Sequence, residues 1–330
     1  MSLARSALLR ASRSPWLADQ FRRRAFARRA VRRFMPGEDL ESALGAARTF
    51  ADVGIGSVLT NLGERVTTAT EADAVRAHYA GVLTTLRERN LPAHVSVKLT
   101  HLGLDADQER CARSVADLAA CAAESGSFLW IDMEESHYVD RTIEIFRRVR
   151  LSHRAVGLCL QAYLHRTPAD LDTLLTDGAA IRLVKGAYRE PPDVAIPRKT
   201  DVDAVYLTLA GRLLDRAATG GATPAFGTHD LAILEQLARR AAGSAGGSAG
   251  GSAGGSAAAP AADRAGPGTP PPFEVHMLYG IKAAEQRRIA AGGTPVRVLI
   301  SYGAQWFPWY MRRLAERPAN VWFVVRNLVS

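Results

Sequence analysis

From about residue 55 the apolar residues fall into short β-branched runs, separated by longer stretches in which they recur at helical spacing. The runs Ser57–Thr60, His94–Lys98, Phe128–Met133, Ala155–Gln161, Ile181–Lys185, Ala225–Thr228, Phe273–Met277 and Val296–Ser301 read as eight strands. The periodic stretches Ala106–Ala123, Val139–Arg150, Pro168–Leu175, Val202–Ala218 and Leu231–Ala241 read as helices between them. Strand–helix alternation predicts a parallel sheet, because each helix carries the chain back to start the next strand in the same direction. Eight such units predict a closed, distorted (β/α)8 barrel of the TIM type over residues 51–330, preceded by an N-terminal helical arm over residues 1–50.

One segment breaks the pattern. Residues 243–272 begin GSAGGSAGGSAGGSAAAP and end PGTPPP, a composition that buries no core and predicts a flexible tether. It falls between a helix and the strand after it, on the face opposite the strand C-termini, so an insertion there leaves barrel chemistry untouched.

Charge is as uneven as hydropathy. The chain of 330 residues carries a formal net charge of +9, yet residues 1–34 hold ten arginines and one acid, Asp19. Without that segment the remainder is near neutral, so the basic character belongs to the arm. Leu8, Leu9, Trp16, Leu17, Phe21 and Phe26 lie among those arginines, a pattern suited to an anionic membrane surface. A mitochondrial transit peptide, a nucleic-acid arm and a plain surface helix share the composition. No apolar run is long enough to span a bilayer. Cys111, Cys121 and Cys159 show neither metal-ligand spacing nor a disulfide framework, and read as buried thiols in a reducing compartment.

Barrels keep their chemistry at the C-terminal strand ends, and here those ends carry polar residues repeatedly. Lys98 closes the second strand, Asp132 the third and Gln161 the fourth; Arg182, Lys185 and Gly186 lie on or after the fifth. Thr228 and His229 follow the sixth, Leu278 and Tyr279 the seventh, and Tyr302 the eighth. Taken singly each has an ordinary explanation: a snorkelling lysine, a helix cap, a core histidine. Their conjunction predicts a lined pocket. Arg182 and Lys185 suit a pyrophosphate, while Gln161 and Lys98 suit the edge of a heteroaromatic ring. Neither GxGxxG nor a P-loop is present, which removes the Rossmann and Walker sites.

A second constellation sits near the C-terminus, in WYMRRLAERPAN from Trp309 to Asn320. Arg312 and Arg313 are adjacent on an expected helix that Pro318 ends, with Trp306, Phe307, Trp309 and Tyr310 in the turns before them. Paired guanidinium groups beside aromatic walls suit a compact ligand with one carboxylate and one apolar end. Ion pairs from Arg312 and Arg313 to Glu316 on a solvated helix are the plainer alternative.

With these residues collected, the chain resembles the proline dehydrogenases of the bacterial monofunctional type, from about Phe34 to the C-terminus apart from the insertion. The markers are RFMPGE, LGE at Leu62–Glu64, VSVKLTHLGLD, IDMEES, LQAYL, RLVKGAY, THD, LYG at Leu278–Gly280 and RRLAERPAN, in that order. The resemblance implies FAD on a distorted barrel and oxidation of L-proline to Δ1-pyrroline-5-carboxylate by hydride transfer from C5 to flavin N5. It implies a carboxylate clamp from Arg312 and Arg313 oriented by Glu316, and Lys98 and Asp132 beside flavin and substrate. Tyr302 would wall the proline ring, with Tyr279, Leu278 and Tyr310 lining the pocket. Gln161, Arg182, Lys185 and Gly186 would meet the flavin ring or pyrophosphate, and Thr228 and His229 the adenosine end. Lys98, its pKa lowered by the pocket, would help deprotonate the substrate amine. Trp309 stands where the family generally offers a tyrosine, and Arg189 follows GAY where bifunctional members carry an aromatic residue.

A quinone electron acceptor is expected, with a cytoplasmic location and peripheral contact at the inner face of the cell membrane; the mitochondrial matrix is the alternative. Two rival functions remain at this stage: a Schiff-base aldolase using Lys98 or Lys185, and a nucleic-acid binder using the arm. The near-neutral body disfavours the latter, so no nucleic-acid partner is expected.

Overall fold

The computed structural model describes residues 31–246, 270–307 and 309–311. Its centre is a closed barrel of eight parallel strands in sequence order. They are β1 (Gly56–Asn61), β2 (Ala93–Val97), β3 (Leu129–Ile131), β4 (Val156–Gln161), β5 (Ala180–Val184), β6 (Ala225–Gly227), β7 (Glu274–Leu278) and β8 (Val296–Tyr302). Closure is made by β1 against β8, in register from Gly56 opposite Arg297 to Asn61 opposite Tyr302. All eight expected strands form, within a residue or two at their ends, β3 being trimmed at both.

Around them run α1 (Leu40–Ala51), α2 (Ala69–Glu88), α3 (Gln108–Glu124), α4 (Val139–Arg150), α5 (Thr167–Thr176), α6 (Lys199–Ala218), α7 (Leu231–Gly246) and α8 (Ala283–Ala291). Local chemistry starts several of them. The Asp39 carboxylate accepts from Ser42 N at 2.7 Å before α1, and Asp107 accepts from Arg110 N at 2.9 Å before α3. Before α2 the Thr68 hydroxyl accepts from Glu71 N at 3.3 Å and donates to the Glu71 carboxylate at 2.8 Å. Helix α1 falls within the helical arm expected over residues 1–50; α2 and α8 are not among the expected helices, α2 because its periodicity is weak and α8 because it is short.

Two cores result. Leu44, Tyr79, Leu118, Phe146, Leu171, Tyr206 and their neighbours fill the space between strands and helices. Val58, Trp130, Ala180 and Ala225 form a separate cluster. They come from β1, β3, β5 and β6, which can meet only across the interior of the barrel. Distortion shows at the closing seam, where α1 packs on both β1 and β8. After β8 the chain turns over the mouth instead. Trp306, Phe307, Tyr310 and Met311 bury themselves there against Val31, Phe34, Met35, Leu62 and Ile281, and Trp306 Nε1 donates to Glu38 at 3.0 Å.

Cys111 and Cys159 are buried and Cys121 is partly buried, all as free thiols. Residues 247–269 of the expected tether and residues 1–30 of the arm lie outside the described residues; α7 runs four residues into the tether's expected span.

Candidate active site

At the C-terminal ends of the strands the period-two alternation of β2, β3 and β5 turns Ser96, Lys98, Asp132 and Arg182 into the mouth of the barrel. Asp132 lies at their centre. Its Oδ2 accepts from Lys98 Nζ at 3.1 Å, and its Oδ1 from Ser96 Oγ at 2.8 Å and from Arg182 Nη2. Arg182 also donates to Ser96 Oγ at 2.9 Å. Two cations thus share one carboxylate in a site where the Arg182 side chain is only 5% exposed.

The electrostatics follow from that geometry. Burial acts to raise the Asp132 carboxyl, but Lys98 and Arg182 outweigh it and hold the group below the ordinary carboxylate range. Burial likewise acts to lower the Lys98 ammonium, and the carboxylate of Asp132 more than reverses this, so its pKa stands well above that of an ordinary lysine. The expectation of a lowered Lys98 pKa is therefore corrected. Lys98 is a fixed ammonium, unsuited to accepting a proton or forming a Schiff base. Next to it, burial pushes the Glu134 carboxyl up to about 7, against hydrogen bonds from Thr100 N at 3.0 Å and Thr100 Oγ1 at 2.6 Å.

Gln161 is buried at the end of β4, donating to the Glu134 carbonyl at 2.7 Å. Lys185, just past β5, meets Asp203 at 2.5 Å and Asp230 at 3.1 Å, and Lys199 joins Asp203 at 2.5 Å. Gly186 has φ +117°, and a Cβ there would run into the Tyr163 ring; the turn that presents Lys185 thus requires glycine. Thr228 Oγ1 accepts from Asp230 N at 3.1 Å ahead of α7, and His229 Nε2 accepts from Leu278 N at 2.9 Å.

The aromatic positions are spread more widely. Tyr302 is buried with its hydroxyl 2.8 Å from His78 Nε2 on α2. Tyr279 lies edge-on to Phe50 of α1 at 6.1 Å. Leu278 and Tyr310 belong to the cluster over the mouth. Arg312, Arg313 and Glu316 lie outside the described residues.

Lys98, Asp132 and Arg182 are therefore in direct contact, with Gln161 reached through Glu134. Sequence reasoning missed Ser96 and His78, and gave Glu134, which follows Asp132 in IDMEES, no role. Ser96 was legible, standing two residues before Lys98 on the same strand face. His78 was not, because helix α2 went unread.

Fit to a flavin can be judged from the donors. A lysine ammonium has three N–H groups; Asp132 takes one from Lys98, leaving donors for an acceptor-rich ring edge. Arg182 adds fixed positive charge, and Lys185 is a further cation at the same mouth.

Comparison with known proteins adds an independent line. Residues 43–326 match the family model described as proline dehydrogenase. Proline dehydrogenase 2 of Bacillus subtilis subsp. natto is 30% identical over 333 residues, covering all of both chains. The proline dehydrogenase of Deinococcus radiodurans is 30% identical, covering 99% of this chain and 98% of its own. Among solved structures, proline utilization A (PutA) of Bdellovibrio bacteriovorus superposes with a TM-score of 0.74 at 21% identity over 87% of this chain. This chain spans about a third, 32%, of that PutA chain, and the likeness bears on the fold.

Proposed function

The chain belongs to the proline dehydrogenase family, and from that premise we infer that it oxidises L-proline to Δ1-pyrroline-5-carboxylate, the first step of proline catabolism, using FAD. The observation that carries this reading is the Lys98–Asp132–Arg182 contact at the barrel mouth, a largely buried carboxylate held between two cations. A bound flavin would supply the two-electron redox chemistry, as acceptor of the hydride that proline loses. Lys98, Arg182 and Gln161 would hold its ring, Lys185 and Gly186 its pyrophosphate, and Thr228 and His229 its adenosine end.

The protein's own part is orientation. Arg312 and Arg313 clamp the substrate carboxylate, Glu316 steadies them, and Tyr302, Tyr279, Leu278 and Tyr310 wall the ring, so that C5 is presented in one pose. The Trp306, Phe307 and Tyr310 cluster covers the mouth and excludes water. Asp132 keeps Lys98 and Arg182 charged and in place. With Lys98 held as an ammonium, the substrate amine must lose its proton to another acceptor before C–N double-bond formation. A Schiff base at Lys98 is disfavoured for the same reason.

Residues 1–50 are read as a basic arm whose last helix, α1, packs on the barrel seam, and 51–330 as the catalytic barrel with a tether at 243–272. Electrons leave to a quinone, and the arm offers a peripheral membrane contact from the cytoplasmic side. No helix among the described residues is long and apolar enough to cross a membrane.

The test is direct. The purified protein is expected to show flavin absorption that bleaches on anaerobic addition of L-proline. Arg312→Met and Arg313→Met are each expected to raise KM for proline about 100-fold or more, as loss of a charge-assisted carboxylate contact implies, while the protein keeps its colour. A colourless protein that does not bind added FAD would overturn the assignment.

A further inference from the structure

One layer beneath Asp132, two residues earlier on β3, lies Trp130, and nothing so far explains why so large a side chain occupies the axis of the barrel. Its surroundings are built around it. The guanidinium carbon of Arg182 lies over the indole ring, 5.2 Å from its centroid. Below and beside it, Nε1 donates to His94 Nδ1 at 3.3 Å, the His276 ring meets it edge-on at 5.5 Å, and Phe128 packs at 5.0 Å. On the neighbouring strand β4, where Gly157 pairs with Trp130, a Cβ at Gly157 would come within 2.6 Å of Trp130 Cζ3 and 2.8 Å of Cε3. The missing side chain at Gly157 is the space the indole fills.

We propose that Trp130 is a positioning residue for the reaction: its indole face, locked by Gly157, His94 and His276, carries Arg182 and keeps that guanidinium in place against Asp132 and the flavin. This rests on the assignment of Arg182 to the flavin site. Arg182 receives fixed partners above, from Asp132 and Ser96, but these are short side chains that share a carboxylate with Lys98. A planar cation between a carboxylate and an aromatic face has little freedom left, and in a desolvated interior such a contact is at the strong end of its range. Filling the barrel alone would not need an aromatic face under the cation. Leu299 and Val58 fill the same layer without one.

The test uses the flavin-loaded enzyme, read by kcat, KM, flavin midpoint potential and the visible spectrum. Trp130→Leu is expected to lower kcat about tenfold, the scale of a desolvated cation–π contact, with KM for proline within about threefold. Its midpoint potential falls, because a wandering guanidinium stabilises the reduced cofactor less. Trp130→Phe, which keeps a ring face and loses the N–H to His94, is expected to stay within about threefold of the parent in kcat. A folded, flavin-loaded Trp130→Leu with unchanged kcat, potential and spectrum overturns the proposal, as does Trp130→Phe impaired as severely as Trp130→Leu. Should Trp130→Leu fail to fold, Gly157→Ala decides: displacing the indole must lower kcat and potential, and no change in either overturns the proposal. Arg182→Lys separates this inference from its premise. If that variant leaves spectrum and potential unaltered, the flavin assignment of Arg182 has failed, whatever Trp130 does.

Discussion

Single side chains at the mouth titrate against each other, and Glu134 offers the cleanest handle. Its folded pKa is raised to about 7 from the ordinary 4.5, with burial as the leading cause. Between those values the folded protein holds a proton that the unfolded chain has lost. Stability therefore falls as pH rises from about 4.5, and the loss, on the order of 3 kcal/mol, is complete above about 7. Glu134→Gln keeps an acceptor for Thr100 N and offers a donor to Thr100 Oγ1. Thermal melts from pH 5 to 8 are expected to show less alkaline loss in the variant; parallel curves would refute the buried-acid account. Asp132→Asn probes the opposite case. It keeps the shape and leaves Lys98 and Arg182 buried without their counter-charge, which costs about 3 kcal/mol. Urea midpoints and flavin absorbance should both drop, and an undiminished midpoint would show that the two cations tolerate each other.

Elements meet the site through contacts that their own sequences do not announce. Helix α2 is the best example. Tyr79, fully buried, accepts from Asn61 N at 2.9 Å and donates to Ser96 O at 3.1 Å, tying the end of β1 to the strand that carries Lys98. His78, its neighbour, holds the Tyr302 hydroxyl, and burial lowers its pKa, so the imidazole stays neutral. Tyr79→Phe leaves a buried backbone donor and acceptor unpaired, a loss of about 1–3 kcal/mol. Chemical denaturation should register it together with weaker flavin retention. A Tyr79→Phe protein as stable as the parent would mean that β1 and β2 are held by strand pairing alone.

At the scale of the whole molecule, the described residues form a barrel with a polar mouth. The expected tether leaves from α7 and returns at β7, on the face away from Lys98 and Asp132. Deleting residues 247–264 is expected to keep flavin content and to hold kcat within about threefold, since loop length alters closure entropy only slowly. Loss of cofactor on deletion would show that the segment supports the site. At the mouth, the apolar cluster of Phe34, Leu62, Trp306 and Tyr310 joins residues far apart in the chain, on either side of β1 and after β8.

Periodicity alone determined the eight strands, their parallel order and the polar residues at their ends, because alternation and strand–helix spacing are local properties of the chain. The marker motifs, read in order, carried the family and its chemistry. Only the tertiary structure decided which of those polar ends touch. It seated one carboxylate between Lys98 and Arg182, and it reversed the expected Lys98 pKa, since a pKa depends on neighbours from other strands. It also revealed Ser96, Glu134, His78 and Trp130 around the site. Their roles arise across the barrel axis or from an unread helix, where no spacing along one chain can register them.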